Sequence, residues 1–214
     1  MDKKIDNLYR NDKTDEAIHQ LIKKIDEHPK NVDNYLQLST YLIEQGSFDQ
    51  AQKLLEQAQH LVEKPQELSY NLAVAYYMQG EFDKALTLLD KIPNDDLTLY
   101  QKALVYLKLG QLQKALAYAL SIKNKDTRVK ELLGDIWMGL GDFKQAEDNY
   151  RQIPEDERSA KINFLLGIVL FDHDKEEAEK FLAKSKKMDR KYYQQAENQY
   201  AAIMKMLSDK EKGK

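Results

Sequence analysis

The sequence predicts an all-α fold: an α-solenoid of about six helix pairs closed by a C-terminal capping helix. Three observations carry this. A short turn signature recurs along the 214 residues at intervals of 30 to 34. The few glycines and prolines, 8 and 4, fall largely at the punctuation of that repeat. No stretch shows the β-branched alternation of a strand.

The signature is clearest in GSFDQA, GEFDKA, GQLQKA and GDFKQA, which end at Ala51, Ala85, Ala115 and Ala146. Weaker copies, DKTDEA and HDKEEA, end at Ala17 and Ala178. The six alanines follow one another at 34, 34, 30, 31 and 32 residues. Fixed self-similarity of this length marks stacked supersecondary units. The expected units are 1–30, 31–64, 65–93, 94–124, 125–154 and 155–187. A cap helix follows over 190–208. Residues 1–209 are expected to form a single superhelical domain, and 210–214 a frayed tail.

Each unit reads as two helices. In the third, Leu72, Ala73 and Tyr76 recur at helical spacing and Gly80 ends the helix. The next helix starts near Phe82 and carries Ala85, Leu86, Leu88 and Leu89. Gly46, Gly80, Gly110 and Gly141 sit between the helices of their units, where a left-handed turn suits glycine. Pro29, Pro65, Pro93 and Pro154 fall between units, where a new helix can begin. Pro93 and Pro154 each follow their signature alanine by 8 residues, against 14 for Pro65. The second helices of the third and fifth units are therefore expected to be about one turn shorter. At the N-terminus, Lys3–Arg10 allows only a short first helix. Either the first unit is truncated or residues 1–10 are loosely held. In the last helix, Tyr193, Ala196, Tyr200, Ile203, Met204 and Leu207 form an apolar stripe. Gln194, Gln195, Asn198 and Lys205 supply the polar face that a terminal cap needs.

The pattern resembles the tetratricopeptide repeat (TPR). Ala73, Ala103 and Gly134 occupy its small first-helix position, and Tyr76, Tyr106 and Trp137 the large position three residues on. Leu38, Leu72 and Leu133 precede the small position, but Lys102 takes that place in the fourth unit. Ala51, Ala85, Ala115 and Ala146 match the small second-helix position. Ser39 and Leu166 depart from the expected Gly or Ala, and the sixth turn, Asp172-His173-Asp174, has no glycine. The resemblance implies two antiparallel helices per unit, with first helices lining a concave face.

Composition narrows the chemistry. There is no cysteine, which excludes disulfide scaffolds, thiolate metal sites and cysteine nucleophiles and fits a reducing compartment. Lysine and arginine number 33 against 36 acids, a net charge of −3, and mean hydropathy is −0.72. A near-neutral chain argues against a dedicated nucleic-acid binder. The longest apolar stretch, Ile162–Phe171, is too short to span a membrane. No signal peptide is visible, so the expected location is cytoplasmic. The four histidines, His19, His28, His60 and His173, show no metal-ligand spacing. The cluster Asp172-His173-Asp174 with Glu176 and Glu177 reads better as a helix cap, by Asp172 or Asp174, than as a metal site. No serine lies in a nucleophile elbow and no phosphate-binding loop occurs. No enzyme activity and no cofactor are expected.

A partner is expected on the concave face. Its candidate residues are Leu36, Tyr70, Val74, Tyr77, Tyr100 and Leu104, with Lys108, Arg128, Glu131 and Asp135 as charged groups. Tyrosine offers an apolar body with a polar tip, which suits interfaces. Cochaperone-like members of the family hold a C-terminal carboxylate with lysine and asparagine. Here Asn71 is present, but Leu36, Tyr70 and Tyr100 stand where lysine would be expected, which disfavours that clamp. The expected function is a non-enzymatic scaffold binding a peptide or amphipathic helix of another protein. Two alternatives are self-association into a homodimer through Phe164, Leu170 and Phe171, and a metal-dependent enzyme using residues 172–177. Neither nucleic acid nor membrane is an expected partner.

Overall fold

A computed structural model describes the backbone of residues 1–212 and the side chains of residues 1–201. All described regular structure is helical. The chain divides into two compact units, Met1–Gln111 and Leu112–Lys214. The first holds α1 (Lys3–Arg10), α2 (Thr14–Glu27), α3 (Val32–Glu44), α4 (Phe48–Ala58), α5 (Ser69–Met78), α6 (Phe82–Leu89) and α7 (Asp96–Lys108). The second holds α8 (Leu112–Ser121), α9 (Thr127–Leu140), α10 (Phe143–Arg151), α11 (Ala160–Leu170), α12 (Lys175–Met188) and α13 (Arg190–Lys212). The division falls inside the fourth expected pair, between α7 and α8. As the proline spacing implies, α6 and α10 are short, 8 and 9 residues against 14 for α2 and 11 for α4.

Helix pairing rests on one packing rule. The signature alanines Ala17, Ala51, Ala85, Ala115, Ala146 and Ala178 are all completely buried. Four residues on, one turn along the same face, stand Leu21, Leu55, Leu89, Ala119 and Tyr150, also completely buried. The partner helix must then present something small. Gly134 shows this most sharply, because a Cβ there would come within 2.2 Å of the Tyr150 ring.

The same rule corrects the register of the sixth pair. The sequence comparison puts Leu166 at the small position, but Leu166 is a fully buried core residue. The small residue is Gly167, where a Cβ would lie 2.6 Å from Leu182 and 3.1 Å from the Ala178 carbonyl. The connection between α11 and α12 is four residues, 171–174, against two or three in the glycine turns, yet Gly167 precedes Ala178 by 11 residues where the other small positions precede their alanines by 12. The connection closes with the His173 and Asp174 N–H groups donating to the Leu170 carbonyl at 3.0 and 2.8 Å. In the other turns a left-handed residue intervenes. Gly46, Gly80 and Gly141 have φ near +80°, and the next N–H reaches back five residues, as from Ser47 to Leu42 at 2.8 Å. In the first turn Asp12 takes that position at φ 61°, and Lys13 N–H donates to Leu8 O at 3.0 Å.

The first helix and the start of the last are both packed against their neighbours. The first unit is truncated but not loose: Ile5 is buried, and Tyr9 stacks on Tyr41 with centroids 3.8 Å apart. Tyr41 Oη donates to Asp6 at 3.0 Å. At the other end Tyr192 and Tyr193 of α13 meet the Phe164 ring edge-on at 6.3 and 5.7 Å. Tyr193 and Ala196 are buried there, while Gln194, Gln195 and Asn198 face solvent. The side chains of Ile203, Met204, Lys205 and Leu207 lie outside the described residues, as do residues 213–214 of the expected tail. The Phe164 and Leu170 side chains expected to drive self-association are buried, so of the three only Phe171 is exposed, at 49%.

Lys102, the departure from leucine, is buried in α7 and anchors the loop before it. Its Nζ lies 2.8 Å from Asp90 Oδ1 and 2.9 Å from Asn94 Oδ1. Burying an ammonium demands such partners. The exchange of leucine for lysine thus ties the segment after the short α6 onto α7.

Three variants test this account by denaturant unfolding and hydrogen exchange. Gly167→Ala should destabilise by about 1–3 kcal/mol through overpacking. Leu166→Ala should cost about 2–5 kcal/mol as a core cavity, whereas a residue at the close crossing would tolerate that truncation. Lys102→Met, which keeps the bulk, should speed amide exchange across residues 90–95 while leaving α3 and α4 protected. Unchanged exchange there would mean that Lys102 does not hold the loop.

Candidate partner-binding groove

The first helices of the first unit, α3, α5 and α7, bring one side of the chain together. Leu36, Tyr70, Val74, Tyr77, Tyr100 and Leu104 are all half-buried. Each has a packed side. Leu36 rests against the cluster of Tyr35, Leu55, Leu68 and Leu72. Tyr70 and Tyr77 rest against Ala73, Ala85, Leu89 and Val105. Tyr77 also contacts the Phe82 ring at 5.9 Å, and burial pushes its phenol pKa up. The neighbouring Tyr76 faces away from this row, donating to Glu56 Oε1 at 2.6 Å. Burial and that carboxylate push its pKa up to about 12.

Only part of the expected row lines a cavity. Leu36 and Tyr70 border a cleft of about 450 Å³, with Asn71, Ile92, Pro93 and Leu97. Val74, Tyr77, Tyr100 and Leu104 lie on later turns of α5 and α7, and Lys108 is exposed at the end of α7. The cleft's far wall is the loop that Lys102 anchors, and sequence reasoning missed it. Its signal was present in the buried-position lysine beside the shortened second helix. Leu97 is 51% exposed, an apolar side chain at the mouth. Polar groups at the border are Glu67, Lys91, Asp95 and Thr98. Asp95 caps α7, accepting the Thr98 N–H at 2.8 Å.

A second, smaller depression of about 190 Å³ adjoins along α3. Leu36 and Asn71 border both, and Met1, Asp33, Gln37 and Thr40 complete it. Asn71 links α5 to α3, its Nδ2 donating to Ser39 Oγ at 2.9 Å and to Leu36 O and Thr40 Oγ1 at 3.2 Å. Among the described residues nothing bonds its Oδ1. Gln37, one helix earlier, holds the extended residue Asp2 by both backbone groups. Asp2 N–H donates to Gln37 Oε1 at 2.7 Å, and Gln37 Nε2 donates to Asp2 O at 3.0 Å.

In the second unit the expected charged groups have partners of their own. Lys161 lies 2.8 Å from Glu131 and 2.5 Å from Asp135, and Tyr150 Oη donates to Asp135 at 2.8 Å. Burial works against the Lys161 charge, but the two carboxylates outweigh it and raise the pKa above the ordinary lysine value. Burial and Asp135 likewise push the Tyr150 phenol far up. Arg128 bonds Asp126 at the start of α9, at 2.9 and 3.2 Å. Glu131 and Asp135 thus hold α9, α10 and α11 together and do not stand as open charges.

The residues of the 172–177 cluster are similarly engaged. Asp174 caps α12 by accepting the Glu177 N–H at 3.0 Å, Glu177 pairs with Arg151, and His173 lies 3.2 Å from Glu147. Among the described residues no three potential ligands converge for a metal ion. No helix among them is long and apolar enough to cross a membrane.

Comparison with known proteins agrees with the geometry. Two family models, both described as Tetratricopeptide repeat, match residues 8–66 and 42–105, and residues 98–121. A TPR repeat-containing protein of Methanocaldococcus jannaschii, MJ1428, is 27% identical over 152 residues. That match covers 68% of this chain and 27% of the relative, so this chain spans about a quarter of its length. Among solved structures, the APC/C hetero-tetramer Cut9–Hcn1 aligns at a TM-score of 0.75 and 16% identity, over 86% of this chain and 38% of that one. Pseudomonas aeruginosa PilF aligns at 0.72 and 16%, covering 90% and 93%. YrrB, a TPR protein with an unusual peptide-binding site, aligns at 0.58 and 17%, covering 83% and 97%. At these identities the structural likenesses establish the fold. The two family models together match more than half of the chain, and with the alanine periodicity, the left-handed turns and the helix crossings described above they show that it belongs to the tetratricopeptide-repeat family.

Proposed function

We propose that this chain is a non-enzymatic scaffold that binds a segment of a partner protein on the first-helix face of its first unit. The observation that carries the reading is the cleft between α3, α5 and the 90–95 loop. Its floor is apolar, and Leu97 stands half-exposed at its mouth. Such surface is what a partner's side chain can cover. The half-buried Val74, Tyr77, Tyr100 and Leu104 extend the same face and would widen the footprint. YrrB's peptide-binding site supports the class of ligand and says nothing of its identity. The reading places the protein in the cytoplasm, in keeping with a cysteine-free sequence.

Selection of a random peptide-display library against the whole chain tests this. Selected peptides should lose at least tenfold in affinity for Leu97→Asp. That variant should unfold within about 0.5 kcal/mol of the parent, because an exposed side chain contributes little to folding. Tyr70→Ala should weaken the same peptides by more than about 1 kcal/mol if Tyr70 anchors them. Peptides that bind both variants as they bind the parent would sink the reading.

A further inference from the structure

We infer that a cleft between the sixth helix pair and α13 binds a quaternary ammonium group, the trimethylammonium head of a small choline-like molecule. The site lies wholly within the second unit and goes beyond the scaffold reading. Its first ground is the lining. The cleft, about 240 Å³, lies between α11, α12 and α13, and four aromatic rings border it: Phe164, Phe171, Tyr193 and Tyr200. The Phe164 and Tyr193 rings stand at 79° to one another with centroids 5.7 Å apart, so two of the walls are nearly perpendicular. Phe171 is 49% exposed and Tyr200 37%, which leaves both reachable from solvent. An aromatic ring is negative on its face and positive at its edge. Rings that border one space from several sides favour a cation within it.

The second ground is that two of these rings already take cations from the chain itself. Lys175 Nζ lies 5.8 Å from the Phe171 centroid, and Lys186 Nζ lies 5.3 Å from the Tyr193 centroid. Neither lysine borders the cleft, so the rings attract cations without the cleft being filled. Both lysines are exposed, and water and salt screen their charge from a ligand.

The third ground is the polarity of the lining, which selects the kind of cation. Among the described residues Glu197 is the one ionised group on the border, and none of the cations pairs with it. Its Oε1 accepts the Tyr193 hydroxyl at 3.1 Å. Ile168 and Leu182 complete the walls and offer no acceptor. A primary ammonium brings three N–H donors that must each replace a water, and this lining cannot supply them. A trimethylammonium has no N–H to satisfy. Its methyl groups pack on the rings and Ile168, while its charge meets the ring faces and Glu197. Beside Phe171 the rim is polar, with Asp172, His173 and Asp174 all exposed, which suits a dissolved cation better than a lipid surface.

Nuclear magnetic resonance titration of the full chain tests this. Choline chloride is compared with 3,3-dimethylbutan-1-ol, its uncharged isostere, at constant ionic strength. Choline should shift the ring signals of Phe171, Tyr193 and Tyr200 saturably and bind about tenfold tighter than the alcohol. Ethanolamine, the corresponding primary amine, should bind no better than the alcohol. Tyr200→Leu keeps an apolar side chain at an exposed site; it should weaken choline about fivefold and leave the alcohol nearly unchanged. Glu197→Gln should weaken choline, and more at low salt than at high. Equal binding of choline and the alcohol overturns the inference, because the cleft would then read shape and not charge. So does the absence of a saturable shift with choline. Phosphatidylcholine vesicles or a trimethyllysine peptide that move these signals where choline does not also overturn it, in favour of a lipid or a protein partner. If Tyr200→Leu shifts the unfolding midpoint, the choline and alcohol comparison on the parent protein decides.

Discussion

Within each of its two units, this fold depends on the crossing of the two helices of a pair. The second helix commits a methyl group, the buried alanine, and in most pairs a larger side chain one turn later, such as Leu21, Leu55, Leu89 or Tyr150. The first helix answers with glycine, alanine or serine. Where the larger residue is Tyr150, the answer is Gly134, and a Cβ would strike its ring. Helices that approach this closely gain dispersion contacts along their length and tolerate little change in volume. The crossing also explains why the sixth pair shifts register. Counted back from Ala178, the small position stands 11 residues away at Gly167 rather than 12 at Leu166, and the crossing itself is preserved.

Once the crossings are fixed, the first helices stand side by side, and polar side chains join them. In the first unit this is done by neutral carboxamides: Gln37 to the residues before α1, and Asn71 to α3. In the second unit the corresponding positions are Leu132, buried, and Leu165, half-buried, and the polar link passes instead to Lys161 with Glu131 and Asp135. The two solutions leave different surfaces. Carboxamides retain unused hydrogen-bonding capacity beside an apolar cleft. The ion-pair network neutralises its own charges, and α13 covers the adjoining Phe164. This contrast is why the proposed partner site is assigned to the first unit.

Lys102 connects fold to site. A leucine in its place would pack equally well against the pair but could not reach Asp90 and Asn94. The lysine shapes the 90–95 loop into a wall, and the wall turns a flat helix face into a cleft. The shortened α6 creates the need: closed by the Asp90 and Lys91 N–H groups on Leu86 and Leu88, it leaves residues 92–94 outside the backbone hydrogen bonds of either helix.

The sequence by itself determined the helix pairs, their approximate lengths, the glycine turns and the polar-faced cap. All of these follow from local chemistry: 3.6-residue periodicity, backbone conformations that glycine adopts cheaply, and proline's missing N–H. It also indicated a row of tyrosines and leucines on one face of the first helices, because the packed side of each helix was already filled. Tertiary structure alone decided which of these meet in a cleft, since Tyr70 joins Ile92 and Leu97 only through a loop whose path no periodicity encodes. It moved the small position to Gly167, because a one-residue change in the spacing to the signature alanine is invisible until the crossing is seen. It drew Glu131 and Asp135 onto Lys161, some 30 residues away in sequence. Pairing across that distance depends on how neighbouring units stack, and stacking is a property of surfaces rather than of any one segment.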